Sequence, residues 1–435
     1  MDKRSASTSG AWWMRRVQAS CPVRSAVPRA LSTLRRAILL ATPLDRTRPR
    51  NCPRHGAAIP LRLAVTRAPP GDRSAGAGRA PRAARSESEE FVMSDTWRFV
   101  ARPGATDTIY GLDLSPDGRR VATASWDSAV RVMDLQEGRT LHTLRGHEGR
   151  VYSVAFHPDG QLLASGGTDA VVRVWDTQAG APLWSQSGHT SLIYGVDFQP
   201  QGQLLASGSE DGTVAVWTTE GELVHHIEGH NQYVQGVAFS PDGRVLASAS
   251  RDCNLILWDV QSGAEIGRVA VVHNGINSVR FTSDGGRVLL TNVDGSVGIW
   301  DLATGTLLLE RNEHRYPVWS AVFSPDGRTF ATASADRTVC LWDTADGTQL
   351  GRFTGYGADV YTLEYTPDGR FLVCGSADKT IRLWGRDLAD ADFQSLTERW
   401  AASEEAERAS LAPVAPKAAP AAGGGMFGRL FGRRG

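Results

Sequence analysis

Cysteine is scarce in this 435-residue chain: Cys21, Cys52, Cys253, Cys340 and Cys374 are the only five, and none forms a CxxC pair. So sparse a set argues against a disulfide framework and fits a reducing, cytoplasmic compartment. Long apolar runs are missing too: no stretch of 18 or more uncharged apolar residues offers a membrane-spanning helix. The N-terminal part lacks the order of basic region, apolar stretch and small-residue cleavage site that a secretory signal requires. Signatures of catalysis are absent, with no GxSxG elbow, GxxxxGK(S/T) loop or HExxH helix. Net charge is also absent, 47 Lys+Arg against 47 Asp+Glu, but this balance hides a segregation. Residues 1–92 hold 18 basic and 6 acidic side chains, leaving 29 and 41 for the remainder, so a basic leader precedes an acidic body. An acidic body argues against nucleic-acid binding, which needs a basic footprint.

What is present is a repeat. Met133, Trp175, Trp217, Trp258, Trp300, Trp342 and Trp384 follow one another at 41 or 42 residues, each six residues after an aspartate: Asp127, Asp169, Asp211, Asp252, Asp294, Asp336 and Asp378. Upstream in each unit an alternating apolar segment such as IYGLDLSPDG or VYSVAFHPDG ends in a Pro-Asp-Gly turn or its equivalent, where Pro presets the first corner and Gly accepts positive φ. Second, third and fourth strands follow (LLASG, VVRVWD, TLHTLRG). Period-2 apolar patterning with turns every 8–12 residues indicates an all-β repeat array.

These units resemble the WD40 family. The Trp-Asp pair is intact at 175–176, 258–259, 300–301 and 342–343 and degraded at Met133, Trp217 and Trp384. The Gly-His pair stands at 146–147, 188–189 and 229–230, with only the His kept at His273 and His314. The resemblance covers about residues 96–387 and implies a seven-bladed WD40 β-propeller. It also implies ring closure: the segment Thr96 to Ala101 aligns with fourth strands and would complete the last blade, removing open sheet edges. In that family His, a second-strand Ser/Thr, the turn Asp and the Trp indole form a hydrogen-bonded chain within each blade. The implied sets are His147–Asp169–Trp175, His189–Asp211–Trp217, His230–Asp252–Trp258, His273–Asp294–Trp300 and His314–Asp336–Trp342, with Asp127, Asp378 and Trp384 in the units that lack the His. The recurring His and Asp therefore read as blade fasteners and not as a catalytic or metal site. No cofactor is expected. Cys253, Cys340 and Cys374 read as small buried residues.

The family's partner contacts concentrate on the face that carries the loops between blades, which directs attention to three positions per unit. The residue after the first apolar residue of the first strand is Tyr110, Tyr152, Tyr194, Gln235, Asn277, Trp319 or Tyr361. With Trp126, Arg150, Tyr233 and Arg251 from the other two positions, Tyr110, Tyr152, Tyr194, Trp319 and Tyr361 have the composition of an interaction hot spot. The expected function is a non-enzymatic, monomeric scaffold for protein partners. The alternatives are a regulatory module for a signalling or transport partner, and a hydrolase or lyase with a channel-mouth site. The enzyme reading draws on Asp113 and Glu364 of the first strands, an environment that Val, Ala and Leu share.

Outside the propeller (93–387), residues 1–92 read on composition as a disordered basic extension, with three readings open: the native start is Met93 and the stretch is not part of the protein, it is an organelle transit peptide, or it is a basic arm for acidic partners. Residues 388–411 read as a short amphipathic helix with Phe393, Leu396 and Trp400 on one face. A Pro/Ala/Gly linker (412–425) leads to a terminal peptide (426–435). There Met426, Phe427, Leu430 and Phe431 beside Arg433 and Arg434 suggest a docking or weak membrane-surface contact.

Overall fold

The computed structural model describes residues 97–411, residue 272 apart. The expected extension (1–92), linker (412–425) and terminal peptide (426–435) lie outside the described residues. The 28 strands of the described chain, β1 to β28, form seven four-stranded antiparallel sheets. In the first blade β2 (Ile109–Leu114), β3 (Arg120–Ser125), β4 (Ala129–Asp134) and β5 (Arg139–Arg145) run from the channel outward, and five more blades repeat that order. The last blade is composite. Strand β1 (Trp97–Pro103) pairs antiparallel with β28 (Thr380–Arg386), outside β27 (Phe371–Ser376) and β26 (Val360–Tyr365). The expected fold, including its closure, is the observed one.

Each blade buries both faces against its neighbours, so the core is divided among the blade interfaces. Ala122, Val130, Val132 and Leu144 of the first blade, for instance, pack on Val151, Phe156, Leu163 and Trp175 of the second. Near the channel the inner strands approach so closely that a Cβ on Gly111 would lie 2.5 Å from the Tyr152 carbonyl oxygen. The helix α1 (Asp390–Leu411) lies over the closing seam, where Leu396 and Trp400 join the core shared by the last and first blades. Two acidic residues in its first turn and Arg408 in its last complement the helix dipole. No helix among the described residues is long and apolar enough to cross a membrane.

One feature of the register recurs in every blade. On each innermost strand the ladder to the next strand slips after the first residue, as between Ile109 and Gly111, Val151 and Ser153, or Val318 and Ser320. The residue left out of register is Tyr110, Tyr152, Tyr194, Gln235, Asn277, Trp319 or Tyr361. A bulge of this kind re-aims a side chain that strict alternation would send into the blade interface.

Candidate functional site

The seven bulged residues meet at one end of the channel. Tyr110 stands at the centre: its ring centroid lies 4.7 Å from both Tyr152 and Tyr361, 6.1 Å from Trp126 and 6.3 Å from Trp319. The surface continues from Tyr152 to Tyr194 at 5.2 Å and from Tyr194 to Tyr233 at 6.2 Å. These aromatic residues and Arg251 line a funnel of about 980 Å³. Arg150, the remaining residue of the predicted group, stacks its guanidinium 4.2 Å from the Trp126 ring. All nine residues are thus brought to one place. Tyr152 is nearly covered and Tyr233 is 43 % exposed, so the rim grades from a packed floor to an open lip. Gln235 belongs to the same surface, with its amide nitrogen donating to Tyr110 Oη at 3.2 Å. Burial pushes the hydroxyls of Tyr194 and Tyr361 up to about 12 and that of Tyr110 higher still, so all three remain protonated donors at neutral pH.

The blade sets vary in completeness. In the second blade His147 lies 3.0 Å from Asp169 through Nδ1 and 2.7 Å from Ser165 Oγ through Nε2, and Trp175 Nε1 donates to the same Oγ at 2.8 Å. His230–Asp252–Ser248–Trp258 and His314–Asp336–Thr332–Trp342 repeat it. His189 keeps Ser207 and Trp217, but its Nδ1 is nearer Thr213 Oγ1 (2.9 Å) than Asp211 (3.3 Å). In the fifth blade only His273–Asp294 forms, at 2.7 Å, because Leu290 stands where the linking hydroxyl would be. The first blade, with Met133, leaves the Thr123 hydroxyl buried without a partner, and Asp127 turns to Thr106 and Arg131. The last blade substitutes Tyr356 for the His: Trp384 Nε1 donates to Tyr356 Oη at 2.8 Å, and Asp378 takes the Gly357 N–H and Arg382. Sequence reasoning passed over Tyr356 because a tyrosine does not fit the Gly-His pattern. Burial alone would raise the turn aspartates, but bonds from the His or Arg side chains and from backbone N–H groups outweigh it, holding Asp127, Asp169 and Asp252 far below the usual carboxylate range.

Two readings need correction. Cys340 and Cys374 are buried, but Cys253 is half-buried in the turn after Asp252, with φ of 69°. That position takes left-handed backbone and is glycine in two other blades, Gly212 and Gly295, so it never enters a strand. The channel is also more highly charged than an environment of Val, Ala and Leu. The fifth positions of the first strands are Asp113, Ala155, Asp197, Ala238, Arg280, Val322 and Glu364, so four of the seven are ionisable. Asp113 and Asp197 each reach the next blade, accepting the N–H of Phe156 at 2.6 Å and of Phe239 at 2.8 Å. Arg280 lies 3.7 Å from Glu364 and exposes 40 % of its side chain to the channel, so water partly hydrates this layer. Desolvation still pushes Asp113 up to about 6 and Asp197 and Glu364 up to about 7, against the pull of the backbone donors at the aspartates and of Arg280.

A raised carboxylate favours the protonated folded state, so ionising these groups costs stability as pH climbs from about 4 to about 7. Asp197→Asn, which keeps the acceptor for Phe239, is expected to flatten that decline. The gain near pH 8 should be about 1–2 kcal/mol, less than the limit of about 1.4 kcal/mol per pH step for each proton because channel water screens the charge. Urea unfolding midpoints at pH 5, 6, 7 and 8 check it; parallel curves for the two proteins would remove the channel carboxylates from the account.

A closed ring of seven blades with Trp-Asp strand ends and fastener sets is a WD-repeat propeller. The chain belongs to that family: the model for the IFT122 first beta-propeller matches residues 179–403, just over half the chain, and that for the WD domain, G-beta repeat, matches 98–134 and 138–176. The first of these ends inside α1. No curated protein matches the chain. WD-repeat propellers are typically protein-interaction scaffolds.

Proposed function

We propose that this propeller is a non-enzymatic, monomeric scaffold, located in the cytoplasm, that holds protein partners on its aromatic funnel. The observation that carries the reading is the convergence of the bulged residues: a repeated backbone irregularity delivers five aromatic rings from different blades to one surface. Tyr, Trp and Arg dominate interface hot spots, and a funnel with a covered floor and a polar lip is where such anchors act. The channel carboxylates are read as stitches between blades, since two of them spend a carboxylate oxygen on the next blade's backbone. The acidic body makes nucleic acid the less suitable client, and the sparse cysteines fit a reducing compartment. The terminal peptide, Met426 to Gly435, is proposed as an auxiliary docking segment.

Trp126→Ala, Tyr152→Ala and Trp319→Ala combined are expected to weaken partner capture by more than about a hundredfold, as the loss of two or three hot-spot anchors should. Co-purification from cells expressing the full chain measures this, with an unfolding midpoint as the control for intact folding. Retention of every partner by a folded triple variant would overturn the reading.

A further inference from the structure

Arg131, Arg173 and Arg382 each bridge to the turn aspartate four residues before them. Arg251 does not follow that pattern. It precedes its turn aspartate, Asp252, and extends over the funnel, where Nε donates to Gln235 Oε1 at 2.8 Å and the guanidinium lies 5.8 Å from the Trp319 ring. Gln235 is held in turn by Tyr110. Among the described residues Arg251 forms no ion pair, and neither terminal nitrogen has a hydrogen-bond partner. The funnel's own carboxylates stay charged but do not pair with Arg251: Glu210 accepts from Ser191 Oγ and Asp211 from Thr213 Oγ1, both at 2.6 Å. In the funnel wall the indole nitrogens of Trp319, beside Arg251, and of Trp126, beside Arg150, are buried without an acceptor. The funnel therefore presents a half-buried guanidinium whose terminal nitrogens have no protein partner.

We infer that the funnel receives an acidic side chain, the carboxylate of an Asp or Glu in a segment of a protein partner, with the terminal nitrogens of Arg251 as its anchor. The inference rests on the funnel's being the partner face. A guanidinium fork matches a carboxylate in bidentate geometry. Aromatic faces alone would favour a cation, but Arg150 and Arg251 already lie over the two tryptophans, so an incoming Lys or Arg would meet like charge. A phosphate is the poorer fit, because phosphopeptide sites gather several arginines on one group, and here Gln235 holds a single one.

The test is fluorescence polarisation of the full chain with labelled octapeptide pools whose central residue is Glu, Gln, Lys or phosphoserine, flanked by mixed Trp, Tyr and Leu. The Glu pool is expected to bind about tenfold or more tightly than the Gln pool and above the other two. R251Q, with its unfolding midpoint unchanged, should reduce the Glu-to-Gln ratio to near one, and R251K should keep part of it. Equal binding of the Glu and Gln pools, preference for Lys or phosphoserine, binding of no pool, or a ratio that survives R251Q would overturn the inference. The two readings fail separately. If the triple rim variant binds every pool like the wild type, the funnel is not the partner face. If that variant loses all pools but the wild type treats Glu and Gln alike, only the carboxylate assignment falls.

Discussion

Trp400→Ala is expected to destabilise the full chain by about 3–5 kcal/mol, the range for truncating a large aromatic side chain in a core. Trp400 is 2 % exposed although it sits on a helix outside the blades. Its indole nitrogen donates to the Leu135 carbonyl at 2.9 Å, and its ring covers Gly138, where any Cβ would lie 2.7 Å from the indole. Around it α1 ties both sides of the seam. Arg102 of β1 pairs with Glu407, Arg98 of β1 pairs with Asp390, and Glu407 also accepts the Thr140 N–H of β5 at 2.9 Å. Removing the indole leaves a cavity and an orphaned carbonyl, and leaves Leu396 and Phe393 as the helix's remaining apolar anchors on this core. The urea midpoint should therefore drop, and amide exchange should rise first in β1 and β28, the pair that closes the ring. A midpoint within about 0.5 kcal/mol of wild type would mean that the helix merely rests on the surface.

The second large effect concerns the fasteners. Trp175→Ala should also cost about 3–5 kcal/mol, since the side chain is 1 % exposed. Trp175→Phe separates packing from bonding: it keeps most of the ring but removes the donor to Ser165 Oγ, a hydroxyl that also meets His147 Nε2. Its expected cost is about 1–3 kcal/mol. Trp300→Phe is the internal comparison, because Leu290 denies that indole the same acceptor. It should cost about 1 kcal/mol less than Trp175→Phe. Thermal or urea unfolding of the three variants decides the point. Equal costs at Trp175 and Trp300 would show that the indole bond contributes nothing beyond packing.

The fasteners were legible where the hydroxyl, imidazole and indole all follow the repeat, as in the blade of His147. They were misread where one member changes chemistry, as at Tyr356, or is missing, as at Leu290, because a periodic pattern marks positions and not the bonds made there. The nine rim residues could be chosen by position, but Gln235, which holds Arg251 and Tyr110, could not be singled out without its distances.

By itself the sequence determined the number of blades and the strand order within them, which follow from local alternation, turn chemistry and a spacing of 41 or 42 residues. The closing strand was implied by the resemblance to the WD40 family, because its pairing joins Trp97–Pro103 to Thr380–Arg386, at the other end of the ring. Only the tertiary structure decided what stands around the axis. The bulges that turn Tyr110 and its counterparts into the funnel, the charged layer of Asp113, Asp197, Arg280 and Glu364, and the unpaired Arg251 all depend on segments tens of residues apart arriving at one place. Whether a charge finds a partner there is set by three-dimensional proximity, which periodicity along the chain does not contain.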